Sequence, residues 1–137
     1  MSNDLHMNSM QTKPIFNEDI HFEHQQWERE LDFYDDEIKI FKNRLAEILH
    51  NSEDKEFLIN LDHFENRFRI HHSKIEAFKQ RIRAHELNMS RHYEAGENVM
   101  DRVMYDYHLD FREQIQTERE MYNDLKKEFF HFMTKSN

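Results

Sequence analysis

Apolar residues recur along most of this chain at alternating spacings of four and three, which is the pattern of helices that pack along one face. The first series is Ile20, His24, Trp27, Leu31, Tyr34, Ile38, Phe41, Leu45 and Ile48. The second is Phe57, Leu61, Phe64, Phe68, His71, Ile75, Phe78, Ile82, His85, Met89 and His92. The third is Met100, Met104, Tyr107, Phe111, Gln114, Glu118, Tyr122, Leu125, Phe129 and Phe132.

Capping residues divide these series into three long helices. Asn17 is a predicted N-cap, Asn51 and Ser52 offer a second one, and Gly96 suits the left-handed position that follows a helix. The predicted helices cover about residues 18–50, 53–95 and 97–133. They form one domain over residues 17–134, which follows a flexible tail of residues 1–16.

The composition agrees with an all-α protein and narrows its function. One glycine and one proline in 137 residues leave too few turn residues for a β protein and no glycine-rich phosphate loop. The absence of cysteine excludes disulfides and thiolate sites. A net charge of −9 disfavours a nucleic-acid partner. No apolar run resembles a signal peptide or a membrane span, so we expect a cytoplasmic protein that makes no membrane contact.

The distribution of charge indicates how the helices are arranged. Residues 18–37 and 106–125 are mainly acidic, whereas residues 66–85 are mainly basic. A basic middle helix between two acidic ones favours an up-down-up antiparallel bundle, in which short turns connect neighbouring helices. The sequence therefore predicts three long antiparallel helices with coiled-coil-like packing.

Polar residues interrupt the three series at a few positions, and most of these are histidines. When the helices are aligned from their predicted turns, His21, His24, His85 and His108 come together near one end of the bundle. Imidazole can bind Zn, Fe, Mn, Ni or Cu, and carboxylates can complete such a site. The carboxylates expected nearby are those of Glu18, Glu28 and Asp106. The alternative is a set of half-solvated histidines that hydrogen-bond to their neighbours without a metal.

A second polar place is predicted at mid-bundle, where His71 lies level with Glu118 and His72 follows in sequence. A carboxylate in an apolar seam must be paired or protonated, because an isolated buried charge is costly. We therefore expect His71 and Glu118 to form a buried polar pair. Such a pair either fixes the register of the helices or acts as a pH-sensitive switch.

Some apolar residues cannot all lie on one helix face, and they indicate self-association. The run Phe129-Phe130-His131-Phe132-Met133 cannot all face one neighbour, because consecutive helical residues point about 100° apart. We expect part of it to remain exposed or to contact a partner. Phe33 and Ile40 also lie off the first series, and either widen the core or contact a second subunit.

Two functional hypotheses follow from these features. The first is a non-catalytic interaction or regulatory module that forms a homo-oligomer or binds a protein partner. The second is a metal-binding bundle that uses the histidine cluster for binding, storage or oxidase chemistry. An enzyme without a metal has no support, because no serine or cysteine has an activating base at a suitable spacing.

Overall fold

The structure is a computed structural model that describes residues 17–94, 96 and 102–136. Within these residues it contains three helices: α1 (Asn17–Asn51), α2 (Lys55–Glu94) and α3 (Arg102–Ser136). They pack as an all-α, up-down-up antiparallel bundle, as the sequence predicts. The predicted tail of residues 1–16, the predicted start of the third helix and Met100 lie outside the described residues.

The turn between α1 and α2 is later than the sequence indicated. The Asp54 carboxylate accepts hydrogen bonds from the backbone N–H groups of Glu56 at 3.1 Å and Phe57 at 3.4 Å. Asp54 is therefore the N-cap of α2, and the prediction that Asn51 and Ser52 cap a helix starting at residue 53 is wrong. This displacement changes which residues of α1 and α2 lie side by side.

The turn after α2 uses the one glycine of the chain. Gly96 has a φ of 88°, in the left-handed region that residues with a Cβ atom rarely adopt. This conformation follows the last helical residue, Glu94, and agrees with the expectation that Gly96 ends the second helix.

The core follows the predicted seams of α1 and α2 but departs from the predicted seam of α3. Tyr107 and Gln114 are exposed, whereas His108 and Ile115 are buried. The buried and partly buried positions that face the core in α3 continue the alternation of four and three without a break, as 104, 108, 111, 115, 118, 122, 125, 129 and 132. The predicted series instead had two steps of four around Glu118. It is wrong because the series follows Tyr107, which is more apolar than His108, and so reaches Gln114 in place of the more apolar Ile115.

Ion pairs tie α3 to α1 along the bundle. Arg119 contacts Glu30 at 2.8 Å, and Lys126 contacts Glu37 at 3.1 Å. The bases of α3 thus pair with the acids of α1, although residues 106–125 are mainly acidic. Partly exposed pairs of this kind each contribute only about 0–1 kcal/mol, so they help to fix topology more than stability.

The C-terminal aromatic run is divided between the core and the surface. Phe129 is buried, whereas the ring of Phe130 is about half exposed and packs edge-on against Phe41. The expectation that part of the run stays exposed is confirmed. Among the described residues, no helix combines the length and the apolarity that a membrane crossing requires.

Candidate metal centre

Three histidines, one from each helix, meet near one end of the bundle. His24 lies on α1, His85 on α2 and His108 on α3, and one ring nitrogen of each lies within 4.8 Å of the others. The ring centroids are 5.0–5.8 Å apart. His24 and His108 are 1% and 0% exposed, and His85 is half-buried. The group therefore lies inside the bundle, where the three seams converge.

The distance between two of the ring nitrogens suits a metal ion that both of them bind. His85 Nδ1 lies 3.2 Å from His24 Nε2. Two nitrogens bound about 2.0–2.1 Å from a tetrahedral ion are about 3.3–3.4 Å apart. An ion bound by both atoms requires the other tautomer of His85, because His85 Nδ1 donates the hydrogen bond to His24 Nε2 in the present arrangement.

Two carboxylates orient the other side of the histidine rings. The Nδ1 atom of His24 donates to Glu86 at 2.9 Å, and Nε2 of His108 donates to Glu23 at 2.6 Å. Arg112 holds Glu23 with two hydrogen bonds, at 2.7 and 2.9 Å. With these protons committed to carboxylates, Nε2 of His24 and Nδ1 of His108 are left as lone pairs directed away from the carboxylates. Metal-binding histidines in proteins are commonly held in this way.

Two buried nitrogens of the cluster are not hydrogen-bonded to any described residue. Within the part of the chain that the structure describes, the buried atoms His85 Nε2 and His108 Nδ1 have no hydrogen-bond partner. A buried polar atom without a partner costs about 1–3 kcal/mol, so such atoms are rare in native proteins. For the lone pair of His108 Nδ1, a bound cation would remove this cost.

Burial keeps the three imidazoles in the form that binds metals. Desolvation lowers the pKa of His24, His85 and His108 below the usual value of a histidine. Burial tends to raise the pKa of Glu23, but hydrogen bonds from Arg112 and His108 outweigh it and hold that pKa below its usual value. At neutral pH the site therefore combines neutral imidazoles with an ionised supporting carboxylate, and metal binding requires neutral imidazoles.

Aromatic rings enclose the cluster on the side of α1 and α3. The indole of Trp27 stacks on His108 with 5.0 Å between centroids, and Trp27 in turn contacts Phe111 at 5.4 Å. Tyr107 packs edge-on against His85. These contacts fix the orientation of the imidazoles and limit the access of water, both of which influence a metal site.

Three of the four predicted ligands come together, and one does not. His21 is exposed, and its Nδ1 atom lies 2.9 Å from Glu86, so it shares this carboxylate with His24 instead of joining the cluster. Of the carboxylates expected nearby, Glu18 and Asp106 are exposed, and neither they nor Glu28 belong to the group. The prediction that His21 is a ligand is corrected accordingly.

Sequence reasoning missed the two carboxylates that support the cluster. Glu23 and Glu86 each adjoin a seam histidine in sequence, His24 and His85 respectively. Such flanking positions face the neighbouring helices. The sequence does show a carboxylate beside each of these two histidines. Identifying the histidine ring that each carboxylate contacts requires the true register of α2 and α3.

At mid-bundle, the predicted polar pair is in contact. His71 Nδ1 lies 2.5 Å from Glu118 Oε2, and both residues are buried. His72 does not join this pair; its Nδ1 atom lies 2.5 Å from Asp35 on α1. The two adjacent histidines therefore belong to different interfaces of the bundle.

No protein-family model, curated protein or solved structure matches this chain. The function is therefore inferred from the chemistry and geometry of the side chains.

Proposed function

We propose that this chain is a metal-binding helical bundle whose ion is held by His24, His85 and His108. The observation that carries the proposal is the convergence of three buried imidazoles from three helices. Carboxylates orient two of these rings, and His108 retains a buried nitrogen with no partner among the described residues.

The donor set favours Zn²⁺ among the common divalent ions. Imidazole nitrogen suits Zn²⁺, Cu²⁺, Ni²⁺ and Fe²⁺, whereas Mg²⁺ and Ca²⁺ prefer oxygen ligands. Three imidazole ligands on a four-coordinate ion leave a fourth position for water or another small ligand. We propose reversible binding of the ion and assign no reaction to it.

Metal binding of this kind would couple the ion to the fold. The ligands come from α1, α2 and α3, so one ion cross-links all three helices at the same end of the bundle. An ion that binds only the folded chain stabilises it in proportion to its concentration. This coupling would let the protein respond to the availability of the metal.

Equilibrium dialysis of the whole chain against Zn²⁺ tests the proposal. We expect the native chain to bind one equivalent more than a His108→Leu variant, because leucine fills the site without a donor atom. His63→Leu replaces an exposed histidine of α2 and serves as the matched control, with binding like that of the native chain. Equal zinc binding by the native chain and His108→Leu would refute the proposal.

A second candidate function, self-association, is favoured by the outer face of α1. Phe22, Phe33 and Ile40 are 58%, 56% and 64% exposed. Their spacings of eleven and seven residues place them on one side of the helix. We propose that this apolar stripe pairs with the same stripe of a second chain, as homodimers commonly do.

Sedimentation equilibrium measures this association directly. We expect a concentration-dependent dimer in the native chain and at least about tenfold weaker association in Ile40→Glu, because the charge would be buried at the interface. Leu87→Glu, at an exposed position of α2, is the control and should dimerise normally. A native chain that stays monomeric at high concentration would exclude the dimer.

A further inference from the structure

A second group of potential ligands lies between α1 and α2, away from the three-histidine cluster. It consists of Asp35 on α1 and of His72 and Glu76 on α2, with one ligand atom from each within 4.8 Å of the others. We propose that this group binds a second divalent cation, of the harder type represented by Mn²⁺. This inference does not depend on metal binding at His24, His85 and His108.

The backbone places the three side chains together for simple geometric reasons. His72 and Glu76 are four residues apart, so they project from the same side of α2. Asp35 faces them across the helix interface and accepts a hydrogen bond from His72 Nδ1 at 2.5 Å. An ion bound by these two atoms takes the place of that proton. Asp35 is only 7% exposed, whereas His72 and Glu76 are half-buried. The group thus has a buried anchor and a side open to water, which can supply the remaining ligands of the ion.

The charge of the group matches a divalent cation. Asp35 and Glu76 contribute two carboxylates, and His72 adds a nitrogen donor. The nearby ammonium of Lys79 lies 2.6 Å from Asp32 but 3.9 Å from Glu76. The hydrogen bond to Asp32 is the largest cause of the raised pKa of Lys79. The closest partner of this lysine is therefore Asp32, which lies outside the proposed site, and its contact with Glu76 is the longer one.

The two sites differ in the metals that they favour. One nitrogen and two carboxylates form a set that accepts Mn²⁺, which an all-imidazole site binds less well than Zn²⁺ or Cu²⁺. Residues 24 and 35 are separated by about 16 Å along α1, from a rise of about 1.5 Å per residue. Ligands at one site therefore cannot coordinate an ion at the other.

Titration of the whole chain with Mn²⁺, followed by the electron paramagnetic resonance of the free aqueous ion, tests this inference. We expect the native chain to remove one equivalent of Mn²⁺ from solution. Asp35→Asn and Glu76→Gln should each weaken this binding at least about tenfold. Both replacements preserve shape, and circular dichroism verifies that the variants fold. Asp36→Asn, at an exposed neighbouring position, should leave the titration unchanged.

The outcomes separate this inference from the proposed function. His108→Leu should abolish one equivalent of zinc binding and leave the Mn²⁺ titration intact. Mn²⁺ that stays free up to millimolar concentrations would overturn the second site, and so would Mn²⁺ binding that is equal in the native chain, Asp35→Asn and Glu76→Gln. Neither result would affect zinc at the three histidines.

Discussion

Zn²⁺ at about 100 times its Kd is expected to raise the melting temperature of this chain by about 10 °C. Binding to the folded state alone contributes about 2.7 kcal/mol at that concentration. A domain of this size gains roughly 4 °C in melting temperature per kcal/mol. The ion binds only the folded chain because its ligands, His24, His85 and His108, come from three helices that separate on unfolding. Differential scanning calorimetry, with and without Zn²⁺ at pH 7, measures it.

Two comparisons assign this shift to the cluster. His108→Leu should lose most of it, whereas His63→Leu should keep it. At pH 5 the shift should shrink in the native chain, because protons compete with the ion for the imidazoles. A stabilisation by Zn²⁺ that is the same in His108→Leu would place the responsible ion elsewhere.

Replacing His71 by leucine is expected to destabilise the chain by about 3–5 kcal/mol at pH 7. Glu118 would then keep a buried charge without its partner, and breaking a buried pair from one side typically costs this much. Both residues are buried, so solvent gives the carboxylate little compensation. Urea unfolding, followed by circular dichroism, measures the change in the free energy of unfolding.

The double variant His71→Leu, Glu118→Leu provides the matched control. It removes both polar groups together, and apolar replacement of a buried pair is often neutral or stabilising. We expect it to recover most of the stability lost in the single variant. A single variant that loses less than about 1 kcal/mol would show that Glu118 does not depend on His71.

Much of the fold could be predicted from the sequence, because the alternation of four and three is strong in α1 and α2. The register of α3 was not predictable in the same way. Apolarity favoured Tyr107 over His108, yet His108 is buried because Glu23 accepts the hydrogen bond from its ring. The hydrophobic pattern of α3 holds one sign of the true register, because Ile115 is more apolar than Gln114.

The candidate site was predicted in part, for a related reason. Aligning the helices from their turns gives the height of a residue along the bundle, and this brought His24, His85 and His108 together. It does not give the direction in which a side chain points around its helix. His21 has a suitable height but lies toward the solvent side, where it contacts Glu86. The supporting carboxylates required the lateral packing of the helices, which only the structure supplies.

In the proposed site three imidazoles share one ion, and X-ray absorption at the zinc K-edge measures this directly. For the chain loaded with one equivalent of Zn²⁺, we predict nitrogen ligands at about 2.0–2.1 Å with outer-shell scattering from three imidazole rings. The His108→Leu variant should lack this three-imidazole signature. A spectrum without imidazole scattering, or the same spectrum in the native chain and in His108→Leu, would contradict the binding of one ion by these three imidazoles.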